Sequence, residues 1–314
     1  MAYLDPRMQK RLTQKLEALN ALRPLPPSAV QKLQKQFEIE MTYNSNAIEG
    51  NCLTLKETFL VLSEGITVRN KPLKDHLEAR DHYEALEYMA DLVAHDKKHT
   101  FSQQLVRTLH GLVVKDTVRE EAGKYRTTEV RITGSSHRPP LALDVPHKMQ
   151  DLIQRYAHQP KTHPVEQAAL LHHEFVHIHP FVDGNGRTGR LIMNVLLMQH
   201  GYPLAVILKN DRAKYYRALS QSDRGDKTAL VRLVAQCVER SLDIYLKTLT
   251  PQQKGSKPSK DMTLSQIAQK TKYSAKYLNL LVRQGRLEAR KEGRNWVSSL
   301  EALRRYEDTR LRKR

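Results

Sequence analysis

The chain has 314 residues, a length that predicts about two domains at roughly 150 residues each. Its composition, 39% hydrophobic and 27% charged, excludes a disordered or collagen-like protein. The 52 Lys and Arg residues outnumber the 34 Asp and Glu residues, and the net charge of +18 indicates an anionic partner, either nucleic acid or a phosphate compound.

The sequence also bears on location. No apolar run approaches the roughly 18 residues of a membrane span, and the opening residues are too charged for a signal peptide. We therefore expect a cytoplasmic protein with no membrane partner. The cysteines are Cys52 and Cys237, too few for a disulfide framework or a four-thiolate zinc site, and both are expected in or near the core.

In chain order, apolar residues recur every three or four positions along most of the first 250 residues, which predicts a mainly α-helical body. The exception is 129–137, where alternating apolar residues meet a Gly-Ser-Ser turn and predict a short β-hairpin. The helical pattern is clear in six segments: 30–42, 55–64, 74–94, 147–157, 165–177 and 229–246.

A change of composition marks the end of this body. Residues 251–261 concentrate Pro, Gly, Ser and Lys and predict a linker. Beyond it, two short helices, a two-stranded wing and a closing helix form a pattern that resembles a winged helix-turn-helix. The predicted domains are an N-terminal helical region at 1–94, a catalytic core at 95–250, the linker, and the winged-helix-like module at 262–314.

The stretch 178–194 carries the clearest chemistry. A His-rich helix is predicted to end at Pro180, and a turn leads into a second helix at Arg187. Free N–H groups at the start of a helix bind anions, and Gly184 and Gly186 let a phosphate approach the backbone. The sequence therefore predicts a phosphate site at this turn.

Four side chains of this stretch suit phosphate chemistry. Arg187 and Arg190 are three residues apart, so both can contact phosphate oxygens from one helix face. Asp183 offers a carboxylate to Mg²⁺, which prefers oxygen ligands. His179 is a candidate general base because its ordinary pKa lies near neutrality.

Three other motifs match the same region. The glycine spacing from Gly184 to Gly189 fits a dinucleotide fingerprint, but a helix precedes it where a strand is required, and the P-loop form lacks its Lys-Ser/Thr. Residues 173–177 read HExxH, as in zinc peptidases, which stays open as a less favoured alternative because Pro180 replaces the glycine of the extended motif. Otherwise these histidines are expected to be a mixture of packed and exposed helix residues.

Residues 179–190, His-Pro-Phe-Val-Asp-Gly-Asn-Gly-Arg-Thr-Gly-Arg, resemble the Fic family signature HPFx[D/E]GNxRxxR at every specified position. The resemblance implies a nucleotidyltransferase that moves AMP from Mg·ATP to a Ser, Thr or Tyr hydroxyl of a target protein and releases pyrophosphate. It implies roles for His179 as general base, Asp183 as Mg²⁺ ligand, Gly184, Asn185 and Gly186 as phosphate-binding turn, Arg187 and Arg190 as distal-phosphate contacts, and Phe181 as packing beneath the loop.

A second motif lies near the N-terminus. Ser45-Asn-Ala-Ile-Glu49-Gly50 would by itself be a helix end with glycine after it. Beside a Fic signature it resembles the family's inhibitory motif, [S/T]xxxE[G/N]. The resemblance implies that Glu49 pairs with Arg190, so that this arginine cannot bind the γ-phosphate of ATP. Removal of AMP by the same glutamate is left open.

The predicted hairpin at 129–137 resembles the family's flap, which holds a target backbone by strand addition, with an ordinary surface hairpin as the alternative. Tyr216 matches a base-contacting position, with plain helix packing as the alternative. Asp223 stands where many relatives have Asn, which argues against a base contact there. The flap residues predicted to dock the target are Glu129, Val130, Arg131 and Ile132.

The basic C-terminal module supports a further prediction. Residues 251–314 hold 17 Lys and Arg against 6 Asp and Glu, or +11 of the net charge. The second helix of the module would enter a DNA major groove, with Lys272, Lys276, Arg283 and Arg294 near phosphates. The alternative is a module for protein contact or dimerisation, and a homodimer is left open. The rival function for the chain is a DNA-binding regulator whose core senses nucleotide.

Overall fold

Helices form nearly all of the first 250 residues. The computed structural model describes residues 2–95, 101–157, 162–250, 262–284, 287–292, 295–300, 302–303 and 306–307. The chain divides into two compact units, 1–250 and 251–314. The α-helices of the first unit are α1 (Pro6–Ala21), α2 (Pro27–Ile48), α3 (Leu55–Glu64), α4 (Leu73–His95), α5 (Gln103–Val113), α6 (Val145–Ala157), α7 (Pro164–Ile178), α8 (Asn185–Gln199), α9 (Arg212–Asp223) and α10 (Thr228–Leu249).

The centre of this unit is the pair α7 and α8. Twelve of the fifteen residues of α8 are buried, so this helix is surrounded by others rather than packed on one face. α7 begins at Pro164, which has no N–H to leave unpaired, and the His163 ring accepts a hydrogen bond from the Val165 N–H. The core therefore holds both sides of the signature loop, residues 179–190, in place.

The N-terminal helices pack on this core. α1 lies against α10 and buries Leu12 and Leu19, a helix that the periodicity of the sequence did not single out. α2 extends six residues beyond the predicted 30–42 and ends at Ile48. This extra length matters because it carries the inhibitory motif to the start of α8. The mainly α-helical prediction is confirmed.

The flap, residues 129–137, differs in detail from the expected hairpin. A turn is present, with the Ser135 N–H bonded to the Ile132 carbonyl at 3.1 Å. The residues on either side do not pair as strands within the described chain. Instead, the Arg126 side chain donates hydrogen bonds to the carbonyls of Thr128 and Pro140. Pro139 and Pro140 have no N–H group to donate to a neighbouring strand.

The second unit has the two short helices and the wing of the predicted pattern, whereas the predicted closing helix lies partly outside the described residues. Its helices are α11 (Leu264–Gln269) and α12 (Ala275–Arg283), and its strands are β1 (Met262–Thr263), β2 (Arg290–Glu292) and β3 (Asn295–Ser298). The antiparallel sheet has the order β1-β3-β2, with Met262 opposite Ser298 and Lys291 opposite Trp296. Ser274 caps α12 as predicted, by accepting from the Tyr277 N–H.

Several sequence predictions concern residues that the structure does not describe or places differently. The predicted linker at 251–261, Arg294 and the side chain of Arg283 lie outside the described residues. No helix in the described part of the chain is long and apolar enough to span a membrane. Cys237 is buried as expected, whereas the expectation for Cys52 is wrong: it is exposed, and its N–H and Sγ both contact the Asp75 carboxylate.

Candidate nucleotide site

The signature loop is shaped by two left-handed residues. α7 ends at Ile178, His179 follows with φ 52°, and Gly184, the N-cap of α8, has φ 76°. Asn185 closes the loop, because its side chain accepts from the Phe181 N–H at 3.0 Å and donates to the Phe181 carbonyl at 2.8 Å. The Asn185 side chain therefore holds the loop, and only backbone groups of the turn remain for a phosphate.

Phe181 packs beneath the loop, as predicted. Its side chain is fully buried and stacks on the His110 ring at 3.6 Å between centroids. His110 Nδ1 accepts from the Gly123 N–H, so its Nε2–H donates to the Asp183 carbonyl, each at 3.0 Å. Burial lowers the pKa of His110 to about 4. This neutral histidine supports the loop from below, and no sequence motif marks it.

The geometry of His179 suits a general base. Its Nδ1 lies 3.3 Å from the Val176 carbonyl, which requires a proton on Nδ1 and leaves a lone pair on Nε2. Burial lowers the pKa of His179 to about 4, so the ring is neutral at pH 7. The residue lines the cavity in front of the loop, where it can accept a proton.

Arg190 is held by the inhibitory motif. Its Nε donates to Ser45 Oγ at 2.9 Å, and its Nη2 donates to the Ser45 carbonyl at 2.8 Å and to Glu49 Oε1 at 2.7 Å. Arg190 is 1% exposed. Burial opposes its charge, but the Glu49 carboxylate outweighs burial and raises the pKa of Arg190. The ion pair that the family resemblance implied is thus present, partly buried and charge-assisted.

The Glu49 carboxylate also covers the start of α8. A Cβ built on Gly186 would collide with Glu49 Oε1 and would lie 3.1 Å from Arg190 Nη1. A larger residue here would therefore displace the Glu49 carboxylate from its present position. Because the first turn of a helix attracts anions, Glu49 occupies the place that the sequence predicts for a phosphate.

Arg187 and Asp183 lie on the other side of this turn. Arg187 is 2% exposed, and its Nη atoms lie 3.4 Å from Glu78 Oε1 and 3.4 Å from Asp183 Oδ2. The Asp183 side chain is 46% exposed, and its Oδ1 accepts from the Gly184 N–H at 2.6 Å. A carboxylate open to solvent beside a phosphate site fits Mg²⁺, which keeps several waters.

A cavity of about 680 Å³ lies in front of the loop, between the flap and α9. This volume is within the roughly 300–1,000 Å³ of ligand pockets. Tyr216 lines it and is 36% exposed, and its hydroxyl lies 3.4 Å from Glu49 Oε2. The Arg212 guanidinium lies 4.8 Å from the Tyr216 ring centroid. Tyr216 thus borders both the cavity and Glu49.

Arg126 connects the flap to the signature loop. The residue is 2% exposed, its Nε donates to the His179 carbonyl at 2.9 Å, and its backbone N–H donates to the Pro180 carbonyl at 2.9 Å. Its Nη atoms bind the flap carbonyls of Thr128 and Pro140 at 3.1 and 2.6 Å. Sequence reasoning gave Arg126 no role, and only its place just before the flap could have suggested one.

The four predicted flap residues differ in position. Arg131 and Ile132 line the cavity, whereas Val130 is half-buried and outside the lining set. Glu129 binds the chain itself, because its Oε1 accepts from the Ala142 N–H at 2.8 Å. Among the described residues, the backbone groups of Val130 and Arg131 have no hydrogen-bond partner. They are free to pair with an added strand.

The HExxH residues do not form a peptidase site. His173 Nε2 and His177 Nδ1 both lie 3.0 Å from Asp223 Oδ1, so a carboxylate fills the point where the two rings converge. Burial opposes ionisation of Asp223, but bonds from the two histidines outweigh it and lower its pKa. Glu174 binds α6 instead, through Tyr156 and Arg155. The motif lacks a glutamate free to activate water, and the peptidase alternative is wrong.

Comparison with known proteins agrees with this geometry. Residues 100–197 match the Fic/DOC family. A crystal structure of a Fic domain containing signaling protein from Bacteroides thetaiotaomicron is 32% identical, with a TM-score of 0.70 over 76% of this chain and 97% of that chain. This chain belongs to the Fic/DOC family. Fic-1 from C. elegans has 28% identity and a TM-score of 0.70, over 77% of this chain and 73% of that chain.

Among curated proteins, "Protein adenylyltransferase Fic" of Drosophila virilis is 38% identical over 250 residues, 77% of this Fic chain and 50% of the fly protein. The protein of the same name from Nematostella vectensis is 34% identical over 262 residues, which are 83% of this chain and 60% of the Nematostella protein. This chain thus spans about half the length of the curated relatives it matches. A Fic family protein from Desulfovibrio desulfuricans shares the fold over 94% of this chain and 96% of its own, with 22% identity and a TM-score of 0.65.

Proposed function

We propose that this Fic protein transfers AMP from Mg·ATP to a hydroxyl side chain of a target protein and releases pyrophosphate. The observation that carries the proposal is the position of a neutral His179 beside the anion-binding start of α8, with Arg187 and Arg190 buried in that helix. Two relatives that carry the name protein adenylyltransferase support it.

The residues divide the reaction between them. The Nε2 lone pair of His179 accepts the proton of the target hydroxyl as its oxygen attacks the α-phosphorus, and pyrophosphate leaves on the opposite side. Backbone N–H groups of the Gly184–Gly186 turn bind phosphate oxygens, and Arg187 and Arg190 neutralise the distal phosphates. Mg²⁺ held by Asp183 would supply further charge neutralisation on the phosphates.

Target binding falls to the flap. Val130 and Arg131 offer free backbone groups, Arg131 lines the cavity, and a target segment that pairs with them is extended beside His179. Strand addition fixes a backbone without selecting side chains, which leaves Ser, Thr and Tyr all acceptable in this account. The base of ATP would lie against Tyr216 at the far side of the cavity.

We also propose that Glu49 restrains the reaction in cis. Its carboxylate neutralises Arg190 and lies over Gly186, where the γ-phosphate needs both the arginine and the helix start. ATP then binds without its distal phosphate in place. Removal of AMP from a modified target is a second proposed activity of the same site, because the Glu49 carboxylate and His179 line the same cavity.

Labelled ATP tests the transfer. The Glu49→Gly variant is incubated with a cell lysate and ATP labelled on either the α- or the γ-phosphate. Relative to the same lysate without the variant, the proposal predicts additional protein labelling from the α-position alone, with pyrophosphate as the second product. Labelling from the γ-position would indicate a kinase. Nucleotide binding without any labelling would favour the rival function, a DNA-binding regulator that senses nucleotide.

The second unit supports a separate proposal, binding to DNA through residues 262–314. Lys276 on α12 is exposed, and all three residues of β2, including Arg290 and Lys291, are exposed on the wing. Phosphate contacts of this kind weaken steeply with salt. The test is the affinity of the full chain for duplex DNA between about 50 and 200 mM salt. Flat affinity would favour the protein-contact alternative, including the homodimer, which light scattering measures.

A further inference from the structure

Three side chains of metal-binding type meet at the flap end of the cavity. They come from three separate elements: His137 from the flap, His177 from α7 and Asp223 from the end of α9. Each offers a ligand atom, and these atoms all lie within 4.8 Å of one another. The His137 and His177 rings stack with centroids 3.8 Å apart. None of the three has a role in the transfer proposed above.

The hydrogen bonds of the cluster indicate which ring nitrogens can bind an ion. His137 Nε2 lies 2.8 Å from the His177 carbonyl, so it carries the proton and Nδ1 keeps a lone pair. His177 Nδ1 lies 3.0 Å from Asp223 Oδ1, so it carries the proton in the absence of an ion; an ion between these two atoms takes the place of that proton, and Nε2 then carries it. Two neutral imidazoles and a carboxylate are a donor set of catalytic zinc sites.

A supporting contact fixes the carboxylate. His173, which is 4% exposed, places its Nε2 3.0 Å from Asp223 Oδ1. Metal ligands are commonly oriented in this way by a hydrogen bond from a neighbouring group that does not itself bind the ion. His173 therefore belongs to the frame of the cluster, and this explains the HExxH spacing without a peptidase.

An ion can also reach the cluster. The His177 side chain is 42% exposed, and that of Asp223 is 21% exposed. Two cavities, of about 400 and about 680 Å³, are both lined by His177 and Asp223. Zinc bonds of about 2.0–2.1 Å require the donors to come closer together than they lie here. The site therefore requires a shift of His137, and no strand pairing in the described part of the flap opposes that shift.

We propose that His137, His177 and Asp223 bind a divalent transition-metal ion of the zinc type, with water in the remaining position. The ion is distinct from the Mg²⁺ predicted at Asp183, because nitrogen donors favour zinc-type ions and Mg²⁺ prefers oxygen. Binding joins the flap to α7 and α9. The flap is then held across the cavity, next to the edge where a target strand would be added.

Cobalt serves as the probe, because Co²⁺ bound by nitrogen ligands absorbs visible light. The full chain is titrated with Co²⁺ in the absence of ATP, and Zn²⁺ is then added as competitor. The proposal predicts saturable absorbance from one ion per chain that Zn²⁺ abolishes. His137→Ala and Asp223→Asn are each expected to weaken Co²⁺ binding by about tenfold or more.

Two matched controls separate this site from others. His147→Ala removes an exposed histidine that pairs with Asp151 at 3.4 Å on α6, an isolated His–Asp pair without a third donor. Asp183→Asn removes the predicted Mg²⁺ ligand. Both variants are expected to bind Co²⁺ like the unmodified chain. Circular dichroism melts verify that each variant is folded.

The contrary outcomes are equally specific. Absence of a saturable signal in the unmodified chain overturns the proposal, and so does an affinity that His137→Ala leaves unchanged. As a second readout, Zn²⁺ is expected to slow tryptic cleavage after Arg131 in the flap, in the unmodified chain but not in His137→Ala. None of these measurements requires AMP transfer, so a failure here is distinct from a failure of the proposed function.

Discussion

The two ends of the cavity satisfy their polar groups in different ways. At the α8 end, Arg190 is buried and bound by Ser45 and by the Glu49 carboxylate. At the flap end, the backbone groups of Val130 and Arg131 have no partner among the described residues. The polar groups at the α8 end are thus paired within the chain, whereas these backbone groups at the flap end are available to a binding partner.

This difference assigns the two ends different tasks. A buried cation needs a counter-charge at all times, so the chain must supply a carboxylate until a phosphate replaces it. The backbone N–H and C=O groups at the flap end can form hydrogen bonds with water until a target segment replaces the water. Under the proposed function, the α8 end regulates the reaction and the flap end recognises the target. His179 lies between them.

The largest effect is expected where both ends converge. His179→Ala in the Glu49→Gly background is expected to lower the rate of AMP transfer by about 10²- to 10⁴-fold, because the target hydroxyl loses its proton acceptor. The measurement is incorporation of α-labelled phosphate at saturating ATP. His147→Ala is the control, since that exposed histidine lies on α6. Transfer that persists at the parent rate would remove His179 from the mechanism.

Acid should destabilise the packing behind the loop. Burial lowers the pKa values of His110, His173 and His179 to about 4 in the folded chain, against about 6.5 in the unfolded chain. Their stabilising contribution is complete above pH 6.5 and is lost as the pH falls toward 4, because only the unfolded chain takes up protons there. The free energy of unfolding should fall by up to about 1.4 kcal/mol per pH unit for each histidine.

Urea denaturation at pH 7.5, 6.5 and 5.5 measures this slope. Removal of one buried histidine, as in His110→Gln, should make the slope shallower, whereas His147→Ala serves as the exposed control. A free energy of unfolding that stays constant or rises between pH 6.5 and 5.5 would contradict neutral burial of these rings.

The flap end is tested through Arg126. Arg126→Lys keeps the charge but loses the planar fork that reaches Thr128, Pro140 and His179. We expect the KM for a protein target to rise about tenfold, while the KM for ATP changes little. Arg138→Lys is the control, because Arg138 is exposed on the same segment. A loss confined to kcat would place Arg126 in the chemistry rather than in target binding.

The smallest effect concerns Tyr216 at the α8 end. Its hydroxyl lies 3.4 Å from Glu49 Oε2, a long hydrogen bond. Tyr216→Phe keeps the ring for the base and releases one oxygen of Glu49, so basal AMP transfer should rise about twofold. Tyr88→Phe, an exposed tyrosine on α4, is the control. A fall in basal transfer would mean that the hydroxyl acts on ATP and not on Glu49.

Much of the α8 end could be predicted from the sequence. The residues from His179 to Arg190 form one contiguous motif, and its helix, turn and helix follow from Pro180 and two glycines. The Glu49–Arg190 contact joins residues 141 positions apart, and only the family resemblance could indicate it. Local periodicity does not show which distant helix ends meet.

The flap end was harder to predict. The alternation at 129–137 indicated strands, but the pairing is replaced by contacts to Arg126, whose reach depends on tertiary packing. The roles of His110 and Asp223 are equally non-local, since each acts through rings or carbonyls on other helices. A single residue that supports a loop from a distant helix belongs to no motif with a regular spacing, so the sequence gives no signal for it.

Under the proposed function, the negative charge of Glu49 takes the place of a phosphate at Arg190. The most direct measurement compares the initial rate of AMP transfer from α-labelled ATP in the unmodified chain, Glu49→Gln and Glu49→Gly. Glu49→Gln keeps the size of the side chain and removes only its charge. The account predicts that both variants exceed the unmodified chain by about 10- to 100-fold, because a charge-assisted contact is lost in each. Activation by Glu49→Gly alone, or equal rates in all three, would contradict it.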